Sequence, residues 1–289
     1  MRFCVLGSGS KGNATFVEAG GTRILIDAGF SGVEVERRLA AIDIDITTIS
    51  ALLVTHEHGD HIRGVQVLSR RYSLPVYVSR STREAAGKSL ARIFEWHPIE
   101  AGRRFSHREL TIHPFAVCHD AADTLGFVLG NGGCSLGYCT DTGSISHLIS
   151  HQLGGCNGLV LECNHDPEML KDGGYPPSLQ QRIRSKSGHL TNNDAARLLV
   201  ALIHDGLKHV VLAHVSETNN SHDLARTTVE GHLREYDLSA EKPCGFSLSV
   251  ARQDTVGELL SLAASGNGDG GARDELFPGA GPGGPAWGK

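Results

Sequence analysis

Ala51-Leu52-Leu53-Val54-Thr55-His56-Glu57-His58-Gly59-Asp60-His61 is the stretch on which the reading of this chain turns. Its first four residues are apolar and suit a short buried strand, and residues 62–72 suit a helix. Between them, at a strand-to-helix turn, stand four potential metal ligands in six residues: His56, His58, Asp60 and His61. His56 and His58, two apart, suit one metal ion. Asp60 and His61, at the helix start, suit a second. A surface loop that gathered these residues by chance is the bland alternative. Ligand types, spacing and strand context all speak against it.

Two ions need further ligands, expected at the ends of other strands, where sheet proteins usually build sites. His119 ends an apolar run at 110–118, Asp141 follows the run 135–139 in a Thr140-Asp141-Thr142-Gly143 turn, and His214 ends the run 209–213. A carboxylate such as Asp141 can bridge two cations.

Composition points the same way. The chain has 289 residues with net charge −5, and its 16 histidines equal its Phe, Trp and Tyr together. Histidine is the commonest metal ligand. No apolar run is long enough to span a membrane, and the start, MRFCVLGSGSKGN, reads as a strand rather than a signal peptide. Seven cysteines, an odd count without a CxxC pair, fit a reducing cytoplasm better than a disulfide framework. Residues 266–289 hold 9 Gly and 3 Pro, a composition expected to be disordered, which leaves residues 1–265 as one large domain.

Strands are expected at 2–6, 14–18, 22–26, 51–54, 75–78, 110–117, 125–129, 135–139, 158–162, 209–213 and 246–251. Several are continuous β-branched runs, as in sheets covered on both faces. Helix starts are signalled by Ser31-x-x-Glu34, Ser81-x-x-Glu84 and Thr191-x-x-Asp194. A helix over 195–205 would close at Gly206, and a short one is expected at 256–264. The mixture suggests an α/β fold, a four-layer αββα sandwich.

The set His56, His58, Asp60, His61, His119, Asp141 and His214 resembles the metal signature of the metallo-β-lactamase fold superfamily, over nearly all of residues 1–255. Asp27, in Ile24-Leu25-Ile26-Asp27-Ala28-Gly29, resembles the superfamily's first motif, whose Asp supports the ligand loop. Five further stretches are similar, in order, to the bacterial YycJ/WalJ-type branch: 7–13, 54–64, 161–166, Tyr175-Pro176 and 188–192. That branch is described as cytoplasmic metal-dependent nucleases with 5′-exonuclease action on DNA. The resemblance therefore implies two divalent ions (Zn, Mn or Fe), nucleic acid as substrate with DNA favoured over RNA, and no membrane partner. The Asp at position 141, where true β-lactamases of this fold typically carry Cys or His, favours phosphoesters. The 72 residues between Asp141 and His214 leave no room for the β-CASP domain of the large ribonucleases.

Two such ions would share a hydroxide nucleophile and offset phosphoryl charge. Asp60 would ligate one ion and orient the nucleophile. In the related ribonuclease Z group a Glu–His pair protonates the leaving oxygen, and Glu162 and His189 occupy the matching places. Either is alternatively a structural residue. The Gly-rich loop carrying Ser10, Lys11 and Asn13 suits a substrate phosphate, as do Asn164 and His165; a plain turn is the competing reading. Arg182, Arg184 and Lys186, and Arg63, Arg70 and Arg71, flank these motifs and suit phosphate contacts or a solvated face. A small-molecule hydrolase, of a cyclic phosphodiester or thioester, is the alternative function on the same site.

Overall fold

The computed structural model describes residues 1–239 and 244–263. β1 (Arg2–Gly7), β2 (Ala14–Ala19) and β3 (Thr22–Ile26) form an antiparallel meander. Next come α1 (Gly32–Ala40), β4 (Ala51–Leu53), α2 (Gly59–Ile62), α3 (Val65–Tyr72), β5 (Pro75–Val78), α4 (Arg80–Ala86) and β6 (Glu95–Pro98), with β3 to β6 parallel. The second half opens with antiparallel β7 (Phe105–His107), β8 (Leu110–Ala116), β9 (Leu125–Asn131) and β10 (Cys134–Cys139). It continues through α5 (His147–Leu153), β11 (Gly158–Glu162), α6 (Pro167–Asp172), α7 (Pro177–Arg184), α8 (Asn192–Ala201), β12 (His209–Ala213), α9 (His222–Ser239) and β13 (Ser247–Val250), and β14 (Leu260–Ser261) returns to pair with β1. Two seven-stranded sheets result, in the orders β14-β1-β2-β3-β4-β5-β6 and β13-β12-β11-β10-β9-β8-β7.

Side-chain alternation shows why the strands read as unbroken apolar runs. Ile24 and Ile26 point between the sheets, where Phe127, Leu136, Tyr138 and Val211 meet them. Leu25 points the other way, onto Val35 and Leu39 of α1 and Leu68 of α3. The second sheet repeats this, with Leu159 and Leu161 facing Ile149 of α5 and Leu198 of α8. Both faces of each sheet are covered, which is the four-layer αββα order. Each fully buried aliphatic side chain contributes roughly 1.5–3 kcal/mol.

Four local expectations are corrected. α4 starts two residues earlier than Ser81 implied, because Ser79 is its cap and accepts from Thr82 N at 3.1 Å. The helix expected over 62–72 is broken at Arg63-Gly64, where the chain presses on the 28–30 turn: Gly64 N donates to the Ala28 carbonyl, and an added Cβ would lie 2.4 Å from the Phe30 carbonyl oxygen. α8 ends at Ala201, so Gly206 lies beyond its cap, Leu202. Residues 256–259 are not helical, and Leu260–Ser261 is instead an edge strand. The Gly/Pro-rich stretch 266–289 and the boundary at 265 lie outside the described residues.

Strand direction positions the site. β3, β4, β8, β10, β11 and β12 all run the same way within their sheets, so the residues that follow them gather at one edge of the sandwich.

Candidate metal centre

Three of the residues at this edge leave their strands in the left-handed backbone region: Asp27 at φ +59°, Asp141 at +56° and His214 at +55°. Asp and His tolerate that conformation better than most residues, and strain of about 1–3 kcal/mol each clusters at functional sites. The turn throws each side chain inward.

Among the described residues the possible donor atoms fall into four overlapping groups, namely His56, His58 and His119; His56, His61 and Asp141; Asp60, His61 and His214; and Asp141, Glu162, His189 and His214. The first and third are triads that share no residue. His56, His58 and His119 face one another, with His56 Nε2 3.0 Å from His58 Nδ1 and His119 Nε2 3.3 Å from the same atom. Asp60, His61 and His214 form the second, with Asp60 Oδ2 3.6 Å from His61 Nε2 and 3.8 Å from His214 Nε2. Asp141 lies between them, one oxygen 3.4 Å from His61 Nε2 and the other 3.8 Å from His119 Nε2. Asp141 Oδ2 and His214 Nε2 are buried without a hydrogen-bond partner. Converging imidazole nitrogens and orphaned buried donors are costly unless a cation joins them, so the residues fit divalent metal ions.

The opposite edges of four of the five rings are held. His61 Nδ1 lies 2.7 Å from Asp27 Oδ2, and Asp27 accepts in turn from Thr55 N and Thr55 Oγ1. His119 Nδ1 faces the Gly188 carbonyl at 3.2 Å, His214 Nδ1 faces Glu162 Oε1 at 3.0 Å, and His56 Nδ1 faces Thr55 Oγ1 at 3.0 Å. Each partner fixes a tautomer that leaves Nε2 as the electron-pair donor. Burial, with the neighbouring imidazoles of His61, His119 and His58, pushes His56 well below the usual histidine range and keeps it neutral. Burial also opposes charge on His61, but the carboxylates of Asp141 and Asp27 outweigh it and hold that ring at about 9. Cation binding must therefore displace a proton from His61. Asp27→Asn keeps the size and the left-handed backbone but removes the charged acceptor. Metal affinity, measured by chelator competition, is expected to fall about 10- to 100-fold; unchanged affinity would contradict this role for Asp27.

Beside the triads sits a buried carboxylate. Glu162 Oε1 meets both His189 Nδ1 at 2.8 Å and His214 Nδ1 at 3.0 Å, while Oε2 accepts from Thr142 N and Leu190 N. His189 ends up partly exposed, with Nδ1 held and Nε2 directed elsewhere.

The residues expected to bind substrate divide. Asn13 is buried, and its amide nitrogen reaches the Gly9 carbonyl, Asp60 Oδ2 at 3.3 Å and His61 Nε2 at 3.1 Å, so it braces the ligand loop rather than facing outward. The backbone there is tight enough that a Cβ on Gly29 would lie 1.6 Å from the Asp60 carbonyl oxygen. Asn164 is likewise internal, donating to the His214 carbonyl at 2.8 Å. Ser10 and Lys11 are exposed, and Lys11 pairs with Glu217 at 2.5 Å. His165 is 1% exposed with both ring nitrogens unpartnered, and burial depresses it to about 4. Of the flanking cations, Arg182 pairs with Asp120 and Arg71 with Glu36. Asp120 was not anticipated: it lies 3.4 Å from His119 Nε2, and its only signal in the sequence was adjacency to that histidine. Thr55 was also missed, since a threonine at a strand end carries no mark of its double hydrogen bond.

A fold of two covered sheets with carboxylates and imidazoles converging at one edge defines a metal-dependent hydrolase. Residues 22–215 match the family described as the Beta-lactamase superfamily domain. The exodeoxyribonuclease YycJ of Bacillus anthracis is 39% identical over 237 residues, covering 81% of this chain and 90% of that one. The exodeoxyribonuclease WalJ of Streptococcus pneumoniae is 34% identical over 266 residues, covering 91% and 98%. Among solved structures, Zn²⁺-bound PqqB from Methylobacterium extorquens shares the fold, with TM-score 0.67, 17% identity and coverage of 91% and 100%. The chain belongs to the β-lactamase superfamily, in the family of the YycJ and WalJ exodeoxyribonucleases.

Proposed function

We propose that this protein is a two-metal phosphodiesterase that removes nucleotides from the 5′ end of DNA. The observation that carries the reading is the pair of donor triads joined across Asp141, with Glu162 and His189 on the same floor. His56, His58 and His119 would hold one ion and Asp60, His61 and His214 the other. Mixed imidazole and carboxylate donors accept Zn²⁺, Mn²⁺ or Fe²⁺, and availability decides among them. When bound, such ions would supply a hydroxide at neutral pH and offset charge on the phosphoryl oxygens.

The chain's own groups do the rest. Asp60, steadied by Asn13, orients the attacking oxygen toward phosphorus. His189, its Nδ1 held by Glu162, carries a proton on Nε2 to the leaving oxygen. Relatives named exodeoxyribonucleases support DNA over RNA. Among the described residues no helix is long and apolar enough to cross a membrane, and all seven cysteines are free thiols, which suits action in a reducing cytoplasm. The test is digestion of 5′-phosphorylated, 5′-hydroxyl and 3′-blocked strands of DNA and RNA with Mn²⁺ or Mg²⁺. Mononucleotides released from the 5′ end of DNA are expected. Failure of fully metal-loaded protein to cut any strand would contradict the reading.

A further inference from the structure

The chain as a whole is acidic, yet one segment is not. Residues 80–108 carry seven Lys or Arg against three carboxylates, Glu84, Glu95 and Glu100, in a chain of net charge −5. Arg80, Arg83, Lys88 and Arg92 belong to α4 and the turns leading to β6. Among the described residues none of these four has a carboxylate partner, whereas Arg182 and Lys11 near the metal centre are neutralised by Asp120 and Glu217. The Arg83 side-chain Nε is buried with no acceptor.

Aromatic rings lie among these cations. The Arg80 and Arg83 guanidinium carbons sit 5.6 and 4.5 Å from the Trp96 ring centroid. Trp96 is anchored from below, its indole N–H donating to the Val78 carbonyl at 3.0 Å. Two residues along the edge, Phe94 is 56% exposed, among the few large apolar side chains that face solvent. β6 is itself the outer strand of its sheet.

This surface begins where the metal centre ends. β5 runs parallel to β4, so α4 starts at the edge that carries residues 55–61. Thr82 Oγ1 donates to the Asp123 carbonyl at 3.0 Å, joining α4 to the loop that bears His119 and Asp120. Unpaired cations spaced along an edge, with an exposed ring between them, match the chemistry of a single polynucleotide strand, whose phosphates seek charge and whose bases stack without regard to sequence.

We propose that the α4–β6 edge holds the single-stranded continuation of the substrate, with Arg80, Arg83, Lys88 and Arg92 on successive phosphates and Phe94 under a base. This rests on the nuclease reading above, but its test does not depend on hydrolysis. The variants are Arg80→Ala with Arg83→Gln, and separately Phe94→Ser at a solvent-facing position, each checked by thermal melting. Binding of a fluorescent phosphorothioate deoxythymidylate of about 20 nucleotides is read by anisotropy over a salt series. The arginine variant is expected to bind about 10-fold more weakly, with the slope of log K against log salt reduced by about 0.7 per lost phosphate contact. Phe94→Ser is expected to bind about 5-fold more weakly with an unchanged salt slope. Hydrolysis of a dinucleotide, too short to reach the edge, stays at the wild-type rate in both. Variants that bind like the wild type, or a wild type that does not bind the strand, would overturn the proposal. Strand binding that the variants lose, in a protein that cuts no nucleic acid, would leave the surface standing and remove the nuclease reading alone.

Discussion

Asp141→Ala is expected to lower kcat/KM on DNA by about 10³-fold or more, roughly 4 kcal/mol of transition-state stabilisation. The carboxylate is buried, its Oδ2 has no hydrogen-bond partner, and the imidazoles of His61, His119 and His214 lie within 3.8 Å of its oxygens. Removing it leaves the two triads without the carboxylate between them, so metal content should fall from the expected two ions per chain to one or none. Asp141→Asn separates charge from shape, because Asn tolerates the left-handed backbone at φ +56° as Asp does. Both variants should melt cooperatively, since the inner core of Ile24, Phe127 and Val211 does not include position 141. Full activity and full metal content in Asp141→Ala would show that Asp141 does not join the triads.

His189→Ala is expected to lower kcat by about 10²- to 10⁴-fold while leaving both ions bound. Its ring is held by Glu162 rather than by a ligand, and Glu162 already accepts from Thr142 N, Leu190 N and two imidazoles. A carboxylate so fully engaged is well placed to fix rings. The diagnostic is the leaving group. A nitrophenyl ester of a nucleotide, which leaves without a proton, should be cut by His189→Ala at close to the wild-type rate, while DNA should not. Glu162→Gln should show the same selectivity together with weaker metal retention, because Glu162 also sets the tautomer of His214. Equal losses on both substrates would place His189 in binding rather than in proton transfer.

The cluster of possible ligands was legible in the sequence because it combines two strong signals. His56 to His61 crowd a strand-to-helix turn, and His119, Asp141 and His214 each follow an apolar run that could only be a covered strand. The interior strands were legible for the same reason: residues such as Ile24, Leu25 and Ile26 are apolar on both faces because helices cover one face and the opposing sheet the other. Edge strands lack that pressure. β6 is Glu-Trp-His-Pro and β7 is Phe-Ser-His, half-exposed stretches with no apolar run, and β14 is only two residues long. Register in three dimensions was equally out of reach. Nothing local tells that the Asn13 amide would reach His61 across 48 positions, or that Asn164 would pin His214. Both read as loop donors, and packing turned them inward. Ser79 was overlooked as a cap because its partner, Thr82, does not complete the Ser-x-x-Glu pattern that Ser81 happens to offer.

The central claim is that the seven residues from His56 to His214 hold two cations and that hydrolysis depends on both. Metal-stripped protein titrated with Mn²⁺, with release of 5′-nucleotides from DNA followed at each addition, tests it most directly. Activity absent at the start and rising to a plateau at two equivalents per chain is the predicted result. Undiminished hydrolysis by the stripped protein in excess chelator, or two bound equivalents with no hydrolysis, would contradict it.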